Sequence, residues 1–162
     1  HFGFYCGPGH RLFGRHGLRL EDLRGEQCVS FHTDQLTDVL RPVAMLRAEA
    51  DFDENLAGVS THLEEIRRMV LAGLGIGALP IHVVERDVRE GLLFRLPPYQ
   101  NPPAIDIWLL RHPQARVNRA EAEFTRLLQQ RVADTPRRQR VYGLGADTAT
   151  DTARAARRKP ER

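Results

Sequence analysis

Two short stretches carry residue types that recognise a small polar molecule. Ser30-Phe31-His32 closes the apolar run Cys28-Val29-Ser30-Phe31, which reads as a short buried strand. Ligands of α/β sheets lie beyond the carboxyl ends of strands, so these residues sit where a ligand would. Thr61-His62 opens a second stretch, where Thr61-His62-Leu63-Glu64 has the form of a capping box. In that motif the Thr61 hydroxyl accepts from the Glu64 amide and the Glu64 carboxylate reaches back to the Thr61 amide. The same helix start would offer free amides and a positive dipole end to a carboxylate. Each residue also has a plain use: Phe31 in a core, Ser30 in a turn, Thr61 as a cap, His62 on a surface.

Other chemistries fit poorly. Gly73-Leu74-Gly75-Ile76-Gly77 follows a helical stretch and enters a strand, whereas a dinucleotide loop follows a strand and opens a helix. Close helix–strand packing explains those glycines, and no cofactor is implied. The seven histidines (His10, His16, His32, His62, His82 and His112 besides His1) and the two cysteines, Cys6 and Cys28, match no metal-ligand spacing. The same scatter yields no nucleophile–base pair, so an enzyme is not expected.

Composition sets the frame. With 41% hydrophobic and 28% charged residues among 162, the chain is a globular domain or part of one, not a disordered polymer. No apolar run approaches the roughly 18 to 20 residues of a spanning helix, so no membrane partner is expected. Two cysteines are too few for a disulfide framework, and a reduced, cytoplasmic chain is the default. The chain begins at His1 without a signal-peptide pattern, and is expected to be a piece of a longer protein. Residues 134–162 hold eight basic and four acidic residues, +4 of the total +3, which leaves −1 for the body. A nearly neutral body has no basic surface for phosphates.

The positioning elements follow from periodicity. Phe2–Cys6 reads as a strand stopped by Gly7-Pro8-Gly9, and Leu18–Leu23 as a helical turn ended by Gly25. An amphipathic helix runs from Asp34 to Leu46, kinked or restarted at Pro42. Leu56–Val59 is a strand candidate. The helix behind Thr61 buries Leu63, Ile66, Met69, Val70 and Leu71, turns Glu64, Glu65, Arg67 and Arg68 to water, and ends at Gly73. Ile76–Pro80 is an apolar strand, Ile81–Arg89 a helix ended by Gly91, and Leu92–Leu96 a strand. After four prolines, Ala104–Leu110 has strong strand propensity and Val117–Val132 is a last amphipathic helix. Residues 134–162 read as a disordered basic tail. Strands alternating with helices imply an α/β sandwich with mostly parallel pairing.

Three runs, taken in order, carry a resemblance: Gly9-His10-Arg11-Leu12, Val70-Leu71-Ala72-Gly73-Leu74-Gly75-Ile76-Gly77-Ala78-Leu79-Pro80, and Val88-Arg89-Glu90-Gly91-Leu92-Leu93. Over residues 4 to about 132 the chain resembles the effector-binding domain of LysR-type transcriptional regulators, bacterial DNA-binding proteins that sense a small molecule. The resemblance implies a type 2 periplasmic-binding-protein-like α/β fold, with two subdomains joined by crossover strands and the effector between them. Residues 7–103 would form the second subdomain nearly whole. Residues 1–6 and 104–133 would supply the crossovers, Phe2–Cys6 and Ala104–Leu110, and a remnant of the first subdomain. The winged helix-turn-helix, linker helix and opening half of the first subdomain find no match in this chain, so DNA would be reached only through a missing N-terminal domain. The helix start at Thr61 would border the cleft. The expected effector-binding residues are Ser30, Phe31, Thr61 and His62, taking a small anionic molecule, with a homo-oligomer (dimer or tetramer) in the full-length parent. The alternative is a periplasmic solute-binding protein of the same fold.

Overall fold

Side-chain alternation along short strands sorts the apolar residues onto two faces of one sheet. Strand β1 (Phe2–Cys6) sends Phe4 and Cys6 into a cluster with Leu12, Leu23, Val43 and Phe52, and Tyr5 into an opposite cluster with Ile66, Val70 and Val84. Strand β4 (Ile76–Pro80) does the same, with Ile76 and Ala78 on the first side and Leu79 on the second. Strands buried on both faces read as unbroken apolar runs, which is why these segments were legible. The computed structural model describes residues 1–32, 40–52, 55–112, 114, 116–136 and 139.

The remaining strands are β2 (Cys28–Phe31), β3 (Leu56–Ser60) and β5 (Phe94–Leu96), and the sheet order is β3-β2-β4-β1-β5. Helices α1 (Arg41–Glu49), α2 (Leu63–Leu71) and α3 (Ile81–Arg89) connect β2 through β5, and a 3₁₀ turn spans Leu20–Leu23. The expectation of mostly parallel pairing is corrected. β2 pairs in parallel with β3 and β4, but β1 is antiparallel to both β4 and β5. Helical crossovers keep β2 to β5 running one way, whereas β1 inserts between β4 and β5 in reverse. Strand direction depends on that long-range insertion, which local periodicity cannot register.

Helix ends obey local chemistry. At the end of α2 the Gly73 amide donates to Val70 O at 3.0 Å and the Leu74 amide to Met69 O at 3.0 Å, with Gly73 at φ 78°. That is a Schellman closure, and its left-handed residue favours glycine. The same pair of bonds closes α3, from Gly91 to Val88 O and Leu92 to Asp87 O. Gly77 is required for a different reason: a Cβ there would run into the Val70 side chain of α2. Pro42 falls in the first turn of α1, where its lost N–H costs nothing, so a helix can begin there. The expected helical residues 34–39 lie outside the described residues.

The chain divides into two units, and Asp106–Leu144 forms the second. The expected strand Ala104–Leu110 does not form: residues 104–112 join no ladder. A strand needs a neighbour to bond its amides, and no described strand offers one. Within the second unit Ile107 is 94% exposed and Trp108 71%, with Leu109 and Leu110 also exposed. Helix α4 (Arg119–Asp134) starts and ends two residues later than expected. Asn118 caps it, accepting from the Glu121 amide at 2.9 Å. Its apolar Phe124 and Leu127 are exposed. Asp134 thus belongs to the helix, and beyond Pro136 the expected tail lies outside the described residues, Gln139 excepted.

Candidate functional site

The carboxyl ends of β2, β3 and β4 share one edge of the sheet, together with the start of β1, whose Phe2 pairs with Pro80. Phe31 pairs with Ser60 across β2 and β3, and Ser30 with Val59. The His32 amide continues the ladder by donating to Ser60 O at 3.0 Å. Ser30 is buried and its hydroxyl faces the Phe31 carbonyl at 3.4 Å; Phe31 is half-buried in the cluster of Val29, Ile66 and Val70. Thr61 and His62 follow Ser60 directly and are both exposed. All four anticipated residues therefore gather at one edge.

The capping box does not form. Helix α2 begins at Leu63, its N-cap position is His62, and no side chain caps the first turn. Ser60 does the local bonding instead: its hydroxyl accepts the His62 amide at 3.0 Å and donates to the Glu65 carboxylate. Ser60 is the last residue of β3 and is fixed by its ladder, so its short side chain meets the turn before Thr61 can fold back onto it. Glu64, freed from the box, pairs with Arg67 at 2.9 Å and Arg68 at 3.4 Å. Among the described residues the amides of Leu63 and Glu64 carry no hydrogen bond, as expected for the first turn of a helix.

Arg67 does not simply face water. Its guanidinium forks onto Asp87 of α3, Nε to Oδ2 at 2.7 Å and Nη2 to Oδ1 at 2.5 Å, and Asp87 is buried. This bidentate pair ties α2 to α3 and so holds the helix whose start frames the edge. A second buried acid, Glu26, lies at the other end of the sheet between His10, whose Nε2 is 3.4 Å away, and Arg11. Burial lowers the pKa of His10, against the raising pull of Glu26 and with a further lowering from Arg11. Neither Ser60 nor Arg67 was singled out from sequence. A serine closing a strand with Glu five residues on is a usable signal, but the Arg67–Asp87 contact spans twenty residues and leaves no local trace.

The cysteines are structural. They lie on β1 and β2, the two neighbours of β4, so about two strand spacings, roughly 9 to 10 Å, separate them, too far for a disulfide. Burial and the nearby Glu26 carboxylate push the Cys6 thiol up to about 12, and Cys28 Sγ donates to Phe52 O at 3.1 Å. Among the described residues no group of three or more His, Cys, Asp or Glu can share a metal ion, and no helix is long and apolar enough to cross a membrane.

The mixed α/β fold with its five-stranded mixed sheet matches that of LysR regulatory domains, and residues 1–133 match the family described as the LysR substrate binding domain. The chain belongs to that family, one of transcription factors and not of enzymes. Solved structures agree in fold. The regulatory domain of HypT from Salmonella typhimurium, in its apo form, is 17% identical with a TM-score of 0.54, over 83% of this chain and 62% of that one. The C-terminal domain of a probable LysR family regulator from Rhodococcus sp. RHA1 is 23% identical with a TM-score of 0.54, over 79% and 62%. Full-length HypT, described as a hypochlorite-specific LysR-type transcriptional regulator, is 17% identical with a TM-score of 0.53, over 83% and 45%. The chain thus spans about 62% of the regulatory-domain structures. None of the curated proteins compared with it matches.

Proposed function

We propose that this chain is the sensing part of a cytoplasmic LysR-type regulator, and that it binds a small anionic effector at the carboxyl edge of β2, β3 and β4. Ser30, Phe31, Thr61 and His62 are the binding residues: Phe31 as an apolar wall, the hydroxyls and the imidazole as polar contacts. In this reading the fold is the type 2 periplasmic-binding-protein kind, residues 7–103 forming one subdomain nearly whole. Residues 1–6 and 104–133 are crossovers and part of the other. DNA is contacted by a winged helix-turn-helix elsewhere in the parent, which works as a homo-oligomer. The effector acts by binding one arrangement of the subdomains better than another, with no chemistry on the ligand. Membership of the regulator family favours this over a solute-binding protein.

The observation that carries the reading is the convergence of Phe31, His32 and His62 on the backbone and hydroxyl of one residue, Ser60. The test is a thermal-shift screen of the full-length parent against small carboxylates and other anions. A ligand that raises the melting temperature should do so far less in Phe31→Ala and His62→Ala, with the unliganded temperature of His62→Ala unchanged. Stabilisation of equal size in both variants would move the effector elsewhere.

A further inference from the structure

All three guanidinium nitrogens of Arg67 are engaged, and by carboxylates of two helices. Nη1 meets Glu64 Oε1 at 2.9 Å in the first turn of α2, while Nε and Nη2 fork onto Asp87 of α3. Asp87 is in turn bonded twice over. Its side chain takes the fork, and its carbonyl takes the amides of Leu92 at 2.8 Å and Leu93 at 3.2 Å. Leu93 is buried in the cluster of Tyr5, Ile66 and Val84, and β5 begins at the next residue. A series of hydrogen bonds therefore runs from the start of α2 to the start of β5.

The links differ in stiffness. Side-chain exposure falls inward along the series, from 53% at Glu64 through 23% at Arg67 to 5% at Asp87. Parting Arg67 from Asp87 would leave a buried carboxylate without its counter-charge, so these two move together. The Glu64 arm is solvated and weak, and can be made or broken without unfolding the helix. The element able to respond is the turn that closes α3. Opening it releases the Leu92 and Leu93 amides from Asp87, whose own position Arg67 holds. Glu65 is the other acid of the same first turn, but its carboxylate takes the Ser60 hydroxyl and stands outside this series.

We infer that Glu64, Arg67 and Asp87 form a relay, with Arg67 and Asp87 as its positioning residues, that carries a change at the start of α2 to the turn delivering Leu93 to β5. Its use in sensing rests on the reading of the edge as the effector site. A ligand beside the first turn of α2 would alter the hold of Arg67 on Glu64. The response would appear at β5, the last described strand before the second unit begins at Asp106. Coupling, unlike contiguity, is read from a non-additive response.

The test is amide hydrogen exchange at Leu92 and Leu93, followed by NMR on the chain with no ligand added. Glu64→Gln should speed both amides about twofold, the scale of an exposed helical ion pair. Glu65→Gln removes the same charge from the same turn and should leave both rates unchanged. In an Asp87→Asn background, Glu64→Gln should have no further effect. If Asp87→Asn does not fold, the contrast between the two glutamine variants decides alone. No change with Glu64→Gln, an equal change with Glu65→Gln, or the same twofold step persisting in Asp87→Asn overturns the relay. Because no effector is needed, failure here strikes the relay and leaves the edge as effector site. A ligand screen that is indifferent to Phe31→Ala and His62→Ala strikes the edge and leaves these exchange rates as they are.

Discussion

The His62 amide donates to the Ser60 hydroxyl at 3.0 Å, and that hydroxyl donates onward to Glu65. Ser60→Ala therefore strands an amide and a carboxylate at the start of α2, and should cost about 1 to 2 kcal/mol in a denaturant melt. Ser60→Thr should recover most of it. Thr61→Val should stay within roughly 0.5 kcal/mol, because Thr61 caps nothing. A larger loss for Thr61→Val than for Ser60→Ala would restore the capping box.

This one residue also marks how far the sequence could be read. Segments governed by neighbours in the chain were legible: the doubly buried strands Cys28–Phe31 and Ile76–Pro80, the helix Ile81–Arg89, the stop at Gly73. Which of two adjacent hydroxyls bonds the turn after β3 depends on where the ladder to β2 ends, and that is a tertiary fact. The direction of β1 and the Arg67–Asp87 fork are tertiary as well. Ala104–Leu110 misled for the opposite reason: its propensity is high, but propensity expresses fit to a sheet, and no described strand lies beside it.

Arg67 and Asp87 form a pair in which Asp87 is 5% and Arg67 23% exposed at the side chain. Arg67→Met alone leaves a buried carboxylate without its fork, and should destabilise by about 2 to 4 kcal/mol, somewhat below a fully buried pair because Arg67 is partly solvated. Asp87→Leu alone should cost a similar amount. The double variant should lose markedly less than the two losses added, as double-mutant cycles on the melting data would register. Simple additivity would mean that the fork contributes no coupling.

His10 gives the fold an acid sensitivity. Its Nδ1 accepts from the Leu12 amide at 3.2 Å, a bond that only an unprotonated Nδ1 can make. With the folded-state pKa lowered by burial, the unfolded chain takes the proton first as pH falls. The associated stability is therefore whole above the ordinary histidine range, and is lost as pH drops through that range toward the lowered folded value. His10→Gln should flatten this part of the stability–pH curve. A His10→Gln curve parallel to that of the unaltered chain would show that His10 contributes no such linkage.

Trp108 is the chain's one tryptophan and is 71% exposed, beside Ile107, Leu109 and Leu110. A run of four apolar side chains in water, with Phe124 and Leu127 also exposed in the same unit, is a patch that soluble chains rarely leave uncovered. At low concentration the indole should emit as a solvated group and be quenched freely by acrylamide. On raising the concentration into the micromolar range, sedimentation should show self-association, the emission should shift to the blue, and quenching should fall. Trp108→Glu with Leu110→Glu should return the chain to a monomer while leaving the melt of the first unit intact, since both residues lie outside its two apolar clusters. A chain that stays monomeric, binds no apolar dye and keeps a solvated indole at every concentration would show that this patch drives no association.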